Sequence, residues 1–161
     1  MDPAALTALA RHGEAIATAR AFAQDAQATR VVLLIDRGDE TPALLVDTDA
    51  QGDTEVTDEA ARTLIPQAAL VPAEPRVTPH VHAIPSTAIT IDPDTAELHA
   101  PIGAIDQLAR AVSALAAGFG GRTVATAEFA TSDPETPITI AAREGEPPLL
   151  EAGGEQFELN L

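Results

Sequence analysis

The sequence predicts an α+β fold in which two helix-then-antiparallel-strand units share one core and are joined by a Pro-rich crossover. Three observations carry this expectation. Apolar residues step by three and four over 102–119, the mark of an amphipathic helix. Short alternating runs follow it, separated by turn sequences, as in an antiparallel meander. A weaker copy of the same order, helix and then strands, opens the chain over 4–49. The expected organisation is a helix-strand-strand-helix unit over 1–65, a connector over 66–86 and a hairpin, helix and meander over 87–161.

The first helix is expected over 4–25. Leu6, Leu9, Gly13, Ile16 and Ala23 recur near helical spacing, while Arg11, Glu14 and Thr18 lie mostly off that stripe. Asp2 and Pro3 suit the cap and the first turn. Residues 31–35 are continuously apolar and β-favouring, which reads as an interior strand. Asp36-Arg37-Gly38-Asp39 supplies a turn, and 43–46 returns as a second buried strand. The polar stretch 47–58 reads as a loop. A short helix is expected over 59–65, closed by Pro66.

Pro66, Pro72, Pro75, Pro79 and Pro85 then discourage helix and interior strand alike, so 66–86 is expected to be extended and polyproline-like. Residues 87–91 and 97–100 form a hairpin around Asp92-Pro93-Asp94-Thr95. The helix over 102–119 presents Ile102, Ile105, Leu108, Val112, Leu115 and Phe119 on one face, and glycines at 118, 120 and 121 stop it. Its stripe is expected to cover the Ile138/Ile140 and Phe157/Leu159 strands. Strands follow over 123–130, 138–143, 149–152 and 155–161. Gly153-Gly154 joins the last two, and Phe157, Leu159 and Leu161 are expected to face inward.

The halves also share local sequence. Thr29-Arg30-Val31-Val32 stands beside Arg122-Thr123-Val124, and Asp39-Glu40-Thr41-Pro42 beside Pro134-Glu135-Thr136-Pro137. Each precedes an apolar strand. An internal duplication explains this; chance similarity in a biased composition is the competing account.

Composition narrows the function. The 161 residues hold 25 Asp and Glu against nine basic residues, all Arg, for a formal charge of -16. That field repels phosphate backbones and anionic lipid, so neither nucleic acid nor a membrane is an expected partner. It favours cations or a basic partner. The absence of cysteine excludes disulfides, thiolate metal sites and cysteine catalysis, and fits a cytoplasmic setting. Without lysine there is no Schiff base and no P-loop. Ser86, Ser113 and Ser132 lie in no Gly-x-Ser-x-Gly elbow. The glycines at 118–121 lead from helix to strand, the reverse of a phosphate cradle. No run approaches the roughly 20 apolar residues that span a bilayer.

One stretch has a specific chemical pattern. Asp47, Asp49 and Gln51 alternate as side-chain oxygens, Gly52 follows, and Asp53, Glu55 and Asp58 complete twelve residues. The stretch resembles the calcium loop of EF-hand and dockerin-type proteins. The resemblance implies Asp47, Asp49 and Gln51 as ligands, Asp53 through its carbonyl, Glu55 through water and Asp58 as the closing ligand. It departs from the family at Thr54, where an aliphatic residue is usual, and at Asp58, where Glu is. The competing reading is an acidic turn whose Thr57 or Asp58 caps the helix expected from Glu59. His80 and His82 share one side of an extended segment, and His99 on the nearby hairpin could join them as imidazole ligands for zinc or a similar metal.

The sequence-level expectation for function is therefore a non-catalytic binding or assembly module acting through an exposed sheet edge or helix face, with a protein partner or self-association. A calcium-stabilised protein and a His-based metalloenzyme are the alternatives.

Overall fold

The structure, a computed structural model, describes residues 3–35, 44–49, 51, 54–58, 63–65, 89–92, 94–95, 97–100, 103–119 and 122–160. The expected turn at 36–39 and the connector at 66–86 lie outside them. The fold is α+β, with two helices and an antiparallel main sheet among the described residues. Helix α1 (Pro3–Ala26) precedes strands β1 (Arg30–Ile35), β2 (Leu44–Asp49), β3 (Thr54–Asp58) and β4 (Thr63–Ile65). A small hairpin, β5 (Thr90–Ile91) and β6 (Leu98–His99), comes next. Helix α2 (Ala104–Phe119) then precedes β7 (Val124–Phe129), β8 (Ile138–Arg143), β9 (Leu149–Ala152) and β10 (Glu155–Glu158). The main sheet runs β10-β9-β8-β7-β1-β2-β3-β4. Every neighbouring pair in it is antiparallel, and β1 against β7 forms its centre.

Both helices lie on one face. Helix α1 packs on β1 and β2, and α2 on β7 and β8. The pleat turns Val31, Leu33 and Ile35 toward them, with Ala125, Ala127 and Phe129 of β7 and Ile138, Ile140 and Ala142 of β8. On α2, Leu108, Val112, Leu115 and Phe119 are buried at helical spacing. Each such side chain contributes about 1.5–3 kcal/mol on leaving water. Helix α1 meets the sheet mostly through small residues, with Ala15, Ala19 and Ala26 buried around Ile16 and Phe22. It ends on Gln27, whose φ of 55° is left-handed, and the N–H of Ala28 reaches back to the Ala23 carbonyl at 3.0 Å. That 6→1 closure is a Schellman cap, normally made by glycine.

Several expectations change. Residues 63–65 are strand where helix was expected, paired to β3 through Val56↔Ile65, Thr57↔Leu64 and Asp58↔Thr63. A seven-residue segment closes at most about two helical turns against a costly nucleus, whereas β3 offers a ready ladder. The stretch 54–58, read as loop, is β3 itself, because Thr54, Val56 and Thr57 are β-branched. Thr18 is buried and satisfied by its own helix, its hydroxyl donating to the Glu14 carbonyl at 2.7 Å. Phe157 is 48% exposed instead of facing into the core. Helix α2 is centred over β7 and β8, so its cover stops short of β10.

Candidate functional site

Among the described residues the sheet ends at β10, whose four residues are all exposed. The hairpin that places them turns on Gly153 and Gly154, with φ of 59° and 84°. Two consecutive left-handed residues define a type I′ turn, which glycine adopts without strain. The turn fixes the register Ala152↔Glu155, Gln156↔Glu151, Phe157↔Leu150 and Glu158↔Leu149. Beyond it, the N–H of Leu159 donates to the Pro148 carbonyl at 2.9 Å. Antiparallel pairing alternates, so residues in phase with Leu159 bond inward to β9. Gln156 and Glu158 are out of phase and present their N–H and C=O groups at the open edge.

Phe157 shares a cross-strand row with Leu150 and Ile140 on the helix side of the sheet. Leu150 and Ile140 are buried, whereas Phe157 stands out beyond them. The other aromatic side chains, Phe22, Phe119 and Phe129, are all in the core. Leu149, on the opposite face of the same hairpin, is 42% exposed. Between residues 144 and 160 the chain carries Glu144, Glu146, Glu151, Glu155 and Glu158 and no basic residue.

A cleft of about 290 Å³ adjoins this hairpin, lined by apolar Ile91, Leu98 and Ala152 together with the acidic residues Asp92, Asp133 and Glu155. Local bonds fix its walls. The Asp92 carboxylate accepts the N–H groups of Asp94 at 2.8 Å and Thr95 at 3.3 Å. Those bonds, Asp94 first, hold its pKa below the ordinary 3.8. Asp133 accepts from the Glu135 N–H at 3.0 Å and the Thr136 hydroxyl at 2.8 Å. The hairpin β5–β6 is tied to this turn by Ser132 N–H to the Ile89 carbonyl and Ile91 N–H to the Ser132 hydroxyl.

The residues of the calcium-loop pattern are distributed along a hairpin. Asp47 and Asp49 lie on β2, Glu55 and Asp58 on β3, and Gln51 in the turn; Asp53 lies outside the described residues. Glu55 is the ladder partner of Asp47, while Asp58 is paired with Leu44. Three strand residues, about 10 Å, separate Asp58 from Glu55. Asp47 is bound by the Arg30 guanidinium, and Asp49 accepts the Gln51 N–H at 2.9 Å. Thr48 and Thr54, neighbours in the pattern, are buried with their hydroxyls 3.0 Å apart, and Arg20 of α1 donates to Thr54 at 3.0 Å.

His99 is exposed on β6, 3.6 Å from the Glu97 carboxylate, while His80 and His82 lie outside the described residues. Among the described residues no three His, Asp or Glu side chains converge as metal ligands. Among them, too, no helix is long and apolar enough to cross a membrane.

The sequence points to an exposed sheet edge or helix face in general terms but does not place the edge at β10, because Phe157 reads there as core. The signal was present: Glu155 shares the face of Phe157, and a charge on the apolar side of a terminal strand marks an edge. No protein-family model, curated protein or solved structure matches this chain.

Proposed function

We propose that this chain is a non-catalytic binding or assembly module that engages a protein partner along the β10 edge. The observation that carries this reading is Phe157, 48% exposed on the edge strand β10, which has no outer neighbour among the described residues, while the other three phenylalanines are buried. An open edge offers main-chain hydrogen bonds, and an uncovered aromatic beside it offers apolar area. The absence of cysteine suits action in the cytoplasm, which cell fractionation tests.

The test removes the edge without removing the fold. Gln156→Pro deletes one outward N–H and leaves the β9 ladder intact by register. Partners crosslinked to the full chain in cells are expected to be lost on this change and on Phe157→Ser. Partners that all survive both variants overturn the reading.

The order helix, then four-stranded meander, occurs twice around the β1–β7 pair, and this supports an internal duplication bridged by the Pro-rich crossover at 66–86. Superposition of the halves in an experimental structure tests it. Matched helices and strands are expected, and unrelated helix placements would overturn it.

A further inference from the structure

Resting on the edge reading above, we infer that β10 accepts a ninth antiparallel strand from a different protein, with basic side chains on both sides of an apolar one. A second copy of this chain is not the occupant. The charge pattern and the register argue this together. The β9–β10 hairpin carries Glu151, Glu155 and Glu158 and no cation, with Glu144 and Glu146 in the turn before it. A second copy would bring the same carboxylates and join two chains of formal charge -16. Like charges across a strand pair oppose pairing, and opposite charges favour it and steer encounter.

The register specifies the partner further. Gln156 and Glu158 hold the outward N–H and C=O groups, so they form the hydrogen-bonded pairs with an added strand. Glu155 and Phe157 face the helix side, and Gln156 and Glu158 the other. An antiparallel partner therefore reads basic opposite Glu158, apolar opposite Phe157, polar opposite Gln156 and basic opposite Glu155. The apolar residue completes the row Ile140, Leu150, Phe157 at its uncovered end.

The probe is a labelled ten-residue peptide centred on Arg-Val-Thr-Arg, titrated with the full chain and followed by fluorescence anisotropy. Controls are a peptide with glutamates for the arginines and one with proline for the central threonine. The basic peptide is expected to bind, with either control at least about tenfold weaker, equivalent to about 1.4 kcal/mol. Gln156→Pro is expected to weaken it by a similar factor. Glu155→Gln with Glu158→Gln should weaken it and flatten its salt dependence. Amide exchange gives a second readout, with slower exchange at Gln156 and Glu158 when the peptide is bound, and melting curves check that each variant folds.

Equal binding of the acidic peptide overturns the charge assignment. Failure of the basic peptide, while partners crosslinked in cells still depend on Gln156 and Phe157, overturns this inference and leaves the edge reading standing. A dimer in sedimentation velocity that Gln156→Pro dissolves makes the second copy the occupant and overturns it too. Partners in cells that all survive Gln156→Pro and Phe157→Ser overturn both.

Discussion

Arg30 and Asp47 grip each other diagonally across β1 and β2, Nε to Oδ1 at 3.0 Å and Nη2 to Oδ2 at 2.5 Å. This two-pronged geometry is the strongest form of side-chain ion pair. It sits on the face of the sheet opposite the helices, with 55% of the Arg30 side chain and 27% of Asp47 exposed. Solvent screens such a pair, so its coupling is expected to be below about 1 kcal/mol. A double-mutant cycle of Arg30→Ala and Asp47→Ala in urea melts measures it. The coupling should shrink between low and high salt.

Phe129 and Phe157, both on strands of the second half, should differ sharply. Phe129 is 3% exposed in the shared core, and its truncation to alanine opens a cavity. Phe129→Ala is expected to cost about 3–5 kcal/mol. Phe157→Ser, at an exposed edge, should stay within about 0.5 kcal/mol. Urea midpoints of the two variants check the contrast. Equal losses would mean that Phe157 is covered in solution.

How much of this fold could be read from residues depends on how many structures a given pattern serves. Helix α2 was legible because Leu108, Val112, Leu115 and Phe119 repeat at a period no strand shares. The meander β7–β9 was legible because Ala125, Ala127 and Phe129, then Ile138 and Ile140, alternate between glycine and proline turns. The stretch holding β3 was not. Its side-chain oxygens at Asp47, Asp49 and Gln51 recur at period two, and so do the outward positions of a half-buried strand. Asp47 and Asp49 occupy such positions on β2, alternating with buried Val46 and Thr48. The candidate edge was only half legible. The hairpin and its glycines were plain, but the inward reading of Phe157 assumed that α2 reached over β10. The reach of a helix across a sheet is a tertiary quantity that strand periodicity does not encode.

The end of α1 offers a stabilising change. Gln27 holds φ of 55°, where a Cβ is strained and glycine is not. Gln27→Gly removes that cost but loosens the unfolded chain, which offsets part of the gain. The net effect is expected to be about 0.5–1 kcal/mol of added stability in thermal or urea denaturation. A loss would mean that the exposed Gln27 side chain makes contacts that matter more than its backbone.

Asp92 should report on its turn through pH. Its pKa lies below 3.8 because the N–H groups of Asp94 and Thr95 bind the carboxylate form. A depressed folded pKa stabilises above the unfolded value, and that contribution fades as pH falls through the folded one. The turn is therefore expected to hold at neutral pH and loosen only below about 3.8. Carboxyl carbon shifts followed by NMR give the midpoint directly. Amide shifts of Asp94 and Thr95 should move with the same midpoint, and a midpoint above 3.8 would remove the two bonds as its cause.

Calcium distinguishes the two uses of the Asp47–Asp58 stretch. A calcium ion collects six to eight oxygens from a tightly wound loop. In the hairpin, Asp47 already has the Arg30 guanidinium as counter-charge, and the ladder keeps Asp58 beside Leu44. Assembling the loop would require breaking the ion pair and the Asp47↔Glu55 and Thr48↔Thr54 pairings. It would also cost the Thr48–Thr54–Arg20 contacts that join β2 and β3 to α1. Millimolar calcium is accordingly expected to leave the melting temperature unchanged and to give no saturable heat in calorimetry. A rise in melting temperature that Asp47→Ala abolishes would show instead that the ion can outbid the ladder.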